Sequence, residues 1–189
     1  VTAGGNSGFS VNYTPTSTTN WSYTVSIDSD DPAVPTFSFT VEDTSPTYRD
    51  IEVDQGGTPV PTASTFLQNG SVVGVAANLA FNIANVGSAN LTLSPPRVAV
   101  VSNTGVTINT LTPPVGSGVL APAGNVGFSI DYTPTNTTSW NFIFEVYSDD
   151  PAAPTYTFTV QDTNPIYRDL HVAPRRTAEP ATPTQPPHE

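Results

Sequence analysis

The chain has 189 residues, with 16 acidic side chains, five arginines, no lysine, no cysteine, no methionine and a formal net charge of −11. The arginines (Arg49, Arg97, Arg168, Arg175, Arg176) are too few to supply the phosphate neutralisation that carries most nucleic-acid affinity, so nucleic acid is excluded as a partner. Lack of cysteine removes disulfides, thiolate metal sites and thiol nucleophiles, and no apolar run has transmembrane length.

Thr, Ser, Asn, Pro and Gly dominate the polar positions, as expected of short strands joined by turns. The first elements alternate with period 2. Phe9, Val11 and Tyr13 alternate with polar residues, then Trp21, Tyr23, Val25 and Ile27, then Phe37, Phe39 and Val41. Three half-buried antiparallel strands are predicted, each with one wet face. Ser29-Asp30-Asp31-Pro32 forms the turn before the third. Tyr48-Arg49-Asp50 follows in a linker spanning 46–53, where Tyr is expected to pack on the sandwich end while Arg and Asp set the angle between neighbouring domains. Beyond it Asn69-Gly70 signals a type I′ turn, Leu79 to Ala84 a strand, Asn85-Val86-Gly87-Ser88 a turn, and Leu91, Leu93, Val98, Val100, Val106 and Ile108 further short strands.

The pattern then repeats. Residues 5–53 align without gaps to residues 124–172, with 29 identities in 49 positions at an offset of 119. That offset suits a complete small β domain with its linker. Phe128, Ile130 and Tyr132, then Trp140, Phe142, Phe144 and Val146, then Tyr156, Phe158 and Val160 stand for the three strands of the first copy. Trp21 and Trp140 are expected to be equivalent core residues. The resulting fold class is all-β, with tandem immunoglobulin-like antiparallel sandwiches. Residues 1–45 form only the closing half of a first repeat, 54–163 a complete sandwich, and 164–189 a linker and Pro-rich extended tail.

Gly70-Ser71-Val72-Val73-Gly74-Val75, followed by Phe81-Asn82-Ile83-Ala84-Asn85-Val86-Gly87-Ser88-Ala89-Asn90-Leu91-Thr92-Leu93, resembles the opening half of Hydin-type (ASH-like) immunoglobulin-like domains. In bacteria such domains are often labelled choice-of-anchor D. Phe128-Ser129-Ile130-Asp131-Tyr132-Thr133-Pro134, Ser148-Asp149-Asp150-Pro151 and Tyr156-Thr157-Phe158 resemble the closing half. Asp43-Thr44 and Asp162-Thr163 replace the Gly-Thr-Gly-like ending usual in that family. The resemblance implies a non-catalytic sandwich used in surface, adhesive or scaffolding proteins.

No constellation points to catalysis. The two histidines, His171 and His188, lie in the linker after the last strand and in the tail, not on a rigid scaffold. Glu145 is matched by Ser26 and Glu42 by Gln161, so a pair of acids facing one cleft is not repeated. Asp28, Asp30, Asp31, Asp149 and Asp150 could offer oxygen ligands to calcium, but Tyr147 replaces Asp28 in the second copy, and Asp-Asp-Pro reads more economically as a capped turn. No cofactor is expected.

The first copy poses a physical problem. Ten apolar residues, Phe9, Val11, Tyr13, Trp21, Tyr23, Val25, Ile27, Phe37, Phe39 and Val41, form a face with no opening half ahead of them. At about 1.5 to 3 kcal/mol each, the lost burial is on the order of 15 to 30 kcal/mol as an upper bound, more than the ~5 to 15 kcal/mol stability of a typical domain. These residues are the candidate partner interface. The cover would be another protein subunit, upstream repeats of the same protein, or a like chain in a homo-oligomer or filament. The expected role is that of a structural or interaction module of an extracellular, cell-surface or periplasmic repeat protein. The alternatives are an accessory subunit docked on the periplasmic or outer face of a larger complex, and a calcium-assisted carbohydrate-binding module.

Overall fold

The computed structural model describes residues 1–170. His171, His188 and most of the Pro-rich tail lie outside the described residues. The strands are β1 (Trp21–Asp28), β2 (Thr36–Asp43), β3 (Ile51–Gln55), β4 (Thr58–Pro59), β5 (Ser64–Leu67), β6 (Ala77–Asn85), β7 (Leu91–Thr104), β8 (Val106–Thr112), β9 (Val119–Leu120), β10 (Asn125–Pro134), β11 (Trp140–Ser148) and β12 (Thr155–Asp162). Period-2 sequence becomes period-2 burial. Along β11 every residue from Trp140 to Ser148 alternates between buried and half-buried, as a strand with one face in a core requires.

Two five-stranded sheets, β4-β3-β6-β10-β8 and β5-β12-β11-β7-β9, enclose one core. The order β3-β6-β10-β8 facing β12-β11-β7 is the A-B-E-D and G-F-C arrangement of an immunoglobulin-type sandwich. Pairing is antiparallel throughout these sheets except where β5 runs parallel to β12. Aromatic rings join the sheets. Phe81 of β6 lies 5.5 Å from Phe128, 5.7 Å from Phe144 and 5.2 Å from Phe158, mostly edge to face.

A buried polar chain closes one end of the core. The Trp140 indole Nε1–H donates to Ser71 Oγ at 2.7 Å, and Ser71 donates through Oγ (2.6 Å) and its backbone N–H (3.1 Å) to Asp162 Oδ2. At the other end Asp150 Oδ2 accepts the Ile51 backbone N–H at 3.1 Å, and the Tyr156 hydroxyl donates to Val60 O at 2.7 Å. Each of these bonds ties the closing strands to residues 51–71, whereas Ser148 Oγ donates to Ala153 O and Asn85 Nδ2 to Ala89 O and Leu120 O within their own halves.

Three expectations require correction. The linker does not extend to 53, because Ile51 and Val53 are buried and β3 pairs with β6 as the first strand of the sandwich. Asn69-Gly70 is a turn, with φ of 81° at Gly70, yet it leads from β5 in one sheet toward β6 in the other and closes no hairpin. The first copy has two strands, not three. β1 and β2 form an isolated antiparallel pair, while residues 5–15 join no ladder. Their counterpart, β10, is held between β6 and β8, both from the opening half. The two tryptophans differ accordingly, with Trp140 buried and Trp21 half-buried.

Trp140→Ala is expected to cost about 3 to 5 kcal/mol in urea melts. Ser71→Ala, which strands the indole N–H and a buried carboxylate oxygen, is expected to cost about 1 to 3 kcal/mol. A loss below about 1 kcal/mol for the tryptophan change would place that ring on the surface.

Burial, with the Asp162 carboxylate nearby, pushes the Tyr132 hydroxyl up to about 12. Below pH ~10 the phenol is protonated in folded and unfolded chains alike. Between about pH 10 and 12 the unfolded chain loses this proton first, so stability falls as pH rises. Tyr132→Phe should flatten part of that alkaline fall. An unchanged alkaline limb would mean that the Tyr132 hydroxyl reaches water in the folded state.

Candidate protein-interaction surface

Residues 9–43 can be compared position by position with their counterparts 119 residues further on. Phe9, Tyr13 and Phe37 are 60%, 55% and 56% exposed, while their counterparts Phe128, Tyr132 and Tyr156 are 3%, 1% and 6% exposed. Val11, Ile27 and Phe39 are also exposed, and Trp21, Tyr23, Val25 and Val41 are half-buried. The β1–β2 register sets Tyr23, Val25 and Ile27 opposite Val41, Phe39 and Phe37, so these apolar residues share one face of the hairpin, with Tyr13 packed on Trp21 and Tyr23 beside it.

Its aromatic cluster already has the geometry of the buried one. Tyr13 and Trp21 lie 5.0 Å apart at 50°, against 4.9 Å and 47° for Tyr132 and Trp140. Trp21 and Tyr23 stack at 6.1 Å and 5°, against 5.6 Å and 15° for Trp140 and Phe142. The turns are preformed as well. Asp31 Oδ1 accepts the Ala33 N–H at 2.8 Å, as Asp150 Oδ1 accepts that of Ala152 at 2.8 Å. Asp43 Oδ1 accepts the Ser45 N–H at 2.9 Å, as Asp162 Oδ1 accepts that of Asn164 at 2.9 Å. These local bonds need only the closing half.

The long-range bonds are the ones that differ. Trp21 Nε1 is buried without a hydrogen-bond partner and is the one such side-chain atom among the described residues. In the second copy Ser71 fills that role. A cleft of ≈ 610 Å³ opens beside Trp21 and Asp43, bounded also by residues 15–18, 46–49 and 150–152.

Four of the five aspartates that could offer oxygen ligands to calcium are engaged by protein donors. Asp28 accepts from the Thr36 hydroxyl at 3.0 Å, and Asp31 and Asp150 cap their turns. Asp149 accepts the Thr92 N–H at 2.7 Å and pairs with Arg49 at 3.2 Å. Asp30 sits in the same turn as Asp31, exposed. Among the described residues no group of three or more His, Asp or Glu side chains could hold a metal ion. Glu145 accepts from the Tyr147 hydroxyl at 2.5 Å across the wet face of β11.

The linker after the first copy docks on the second sandwich. Ser88 and Ala89 donate their N–H groups to Tyr48 O, both at 2.9 Å, while Tyr48 N–H donates to Ser88 Oγ at 3.1 Å. Arg49 reaches Asn90 O at 3.1 Å beside its ion pair with Asp149. Gly87 is glycine because a Cβ there would stand 2.5 Å from Tyr48 O and 2.7 Å from Asp50 N. Burial and the nearby Asp150 carboxylate raise the Asp50 carboxyl above its usual range. The repeated linker, Tyr167-Arg168-Asp169, is exposed and carries no such domain among the described residues.

Ser71, the centre of the buried polar chain, has no signature in the sequence. The repeat sets an acid opposite each tryptophan, Asp43 against Trp21 and Asp162 against Trp140, but nothing in it names the hydroxyl between them.

No family model matches the chain, and no curated protein matches it. Solved structures similar to it include the ASH / PapD-like domain 7 of human CEP192, at 12% identity and a TM-score of 0.42 over 67% of this chain and 92% of that one. A protein of unknown function from Porphyromonas gingivalis W83 is similar at 16% identity and a TM-score of 0.43, over 81% of this chain and 68% of that one. The N-terminal domain of PorA is similar at 11% identity and a TM-score of 0.37, over 63% of this chain and 98% of that one.

Proposed function

We propose that the chain is a non-catalytic structural and protein-interaction module of a secreted or cell-surface repeat protein or extracellular assembly, with the open face of its first copy as the contact surface. One observation carries this reading: the counterparts of the second copy's buried core residues are exposed or half-buried in the first. Both edges of the β1–β2 hairpin are unpaired among the described residues, so a partner can add strands as well as apolar area. The acidic, lysine-free, Thr- and Asn-rich composition supports an exposed surface setting.

The 189-residue chain should bind an apolar-surface dye. Phe37→Ser combined with Phe39→Ser should lower that binding several-fold while shifting the stability of the 51–170 sandwich by less than about 0.5 kcal/mol. A monomeric chain that binds no dye and melts as two cooperative units would overturn the reading.

A further inference from the structure

We infer that the occupant of the open face is an opening half-sandwich of the same repeat type, a polypeptide with the chemistry of residues 51–122. This rests on the reading of that face as a contact surface and specifies what covers it. The second copy serves as a template at an offset of 119 residues, and apart from the Arg49–Asp149 ion pair the long-range side-chain bonds of its closing strands go to the opening half.

Ile51 N–H occupies Asp150 Oδ2, the counterpart of Asp31 Oδ2. Thr92 N–H occupies Asp149 Oδ1, the counterpart of the Asp30 carboxylate. Ser71 bridges Trp140 and Asp162, the counterparts of Trp21 and Asp43, and the cleft beside Trp21 and Asp43 opens where that serine loop would lie. The Ile166 backbone accepts the Val73 N–H at 2.9 Å and donates to Ser71 O at 2.7 Å, and its counterpart is Thr47. The occupant therefore presents backbone N–H groups toward Asp30 and Asp31, and a hydroxyl between Trp21 Nε1 and Asp43 Oδ2. A featureless apolar surface would satisfy none of these groups.

The apolar and backbone requirements agree. Phe81 packs against Phe128, Phe144 and Phe158, whose counterparts are Phe9, Val25 and Phe39. An aromatic wedge in that place seals the face. β7 runs antiparallel along β11 and β5 parallel along β12, so the occupant adds one strand at each edge of the β1–β2 hairpin. A further pair flanks residues 5–15, as β6 and β8 flank β10.

The test joins residues 51–123 of this sequence directly ahead of Gly5 of the full chain, reproducing the Ala123–Gly124 junction. That segment contains no tryptophan, so the fusion keeps two indole N–H signals, Trp21 and Trp140. In the 189-residue chain the Trp21 indole N–H is expected to exchange with water at least about 100-fold faster than that of Trp140, because the open face permits local opening. In the fusion both should be protected to within about tenfold, and dye binding should disappear. Ser71→Ala in the added half only, or Asp43→Asn, should cut Trp21 protection by about tenfold and leave Trp140 unchanged. Trp140 reports on folding of the downstream sandwich in the same sample. If Trp21 stays unprotected and the fusion still binds dye, the occupant is not an opening half and the inference falls, while the contact-surface reading stands. If the unfused chain is a dimer by sedimentation with Trp21 already protected, the occupant is a second copy and the inference again falls. If the unfused chain is a dye-free monomer with Trp21 protected, both the inference and the reading beneath it fall.

Discussion

The structure depends on a division of labour between the two halves of one sandwich. Strands β10, β11 and β12 carry most of the aromatic core, but β10 has no hydrogen-bonded neighbour of its own half, and the Trp140 indole finds its acceptor on Ser71. A closing half alone can form a hairpin, its turns and its aromatic stack, because those are local. It cannot bury its face or satisfy its indole, because those require residues 51–122. The first copy stops at the point where local interactions end, with β1 and β2 paired, Asp31 and Asp43 capping their turns, and Trp21 Nε1 buried without an acceptor.

Polar groups set the specificity of that contact more than area does. Buried apolar contact is indifferent to partner identity, whereas an unanswered indole N–H and a carboxylate oxygen each demand a donor or acceptor in a fixed place. Docking of the Tyr48 backbone on Ser88 and Ala89, with Arg49 reaching Asp149, orders the junction by the same means. Carboxylates that could have suggested calcium serve as turn caps and ties between segments.

Much of the fold was legible because half-buried antiparallel strands alternate strictly. Trp140 to Val146 and Tyr156 to Val160 are in place in β11 and β12. Three features were not legible, for physical reasons. Ile51 and Val53 are only two apolar residues, too short an alternation to separate a strand from a linker before β6 is seen beside them. Residues 9–13 have a strand's pattern, yet pattern specifies a face and not a neighbour, and no strand pairs with them among the described residues. Ser71 lies 91 residues from Asp162, and a single hydroxyl among many serines and threonines signals nothing until the chain has folded.

Backbone amide exchange tests the central claim most directly, because the two copies act as internal controls within one molecule. The strand amides of residues 21–28 and 36–43 should exchange at least about 1,000-fold faster than those of residues 140–148 and 155–162, since one hairpin opens locally and the other opens with a whole sandwich. Equal protection of the two hairpins in the monomeric chain would contradict the account of the first copy as an open half of this fold.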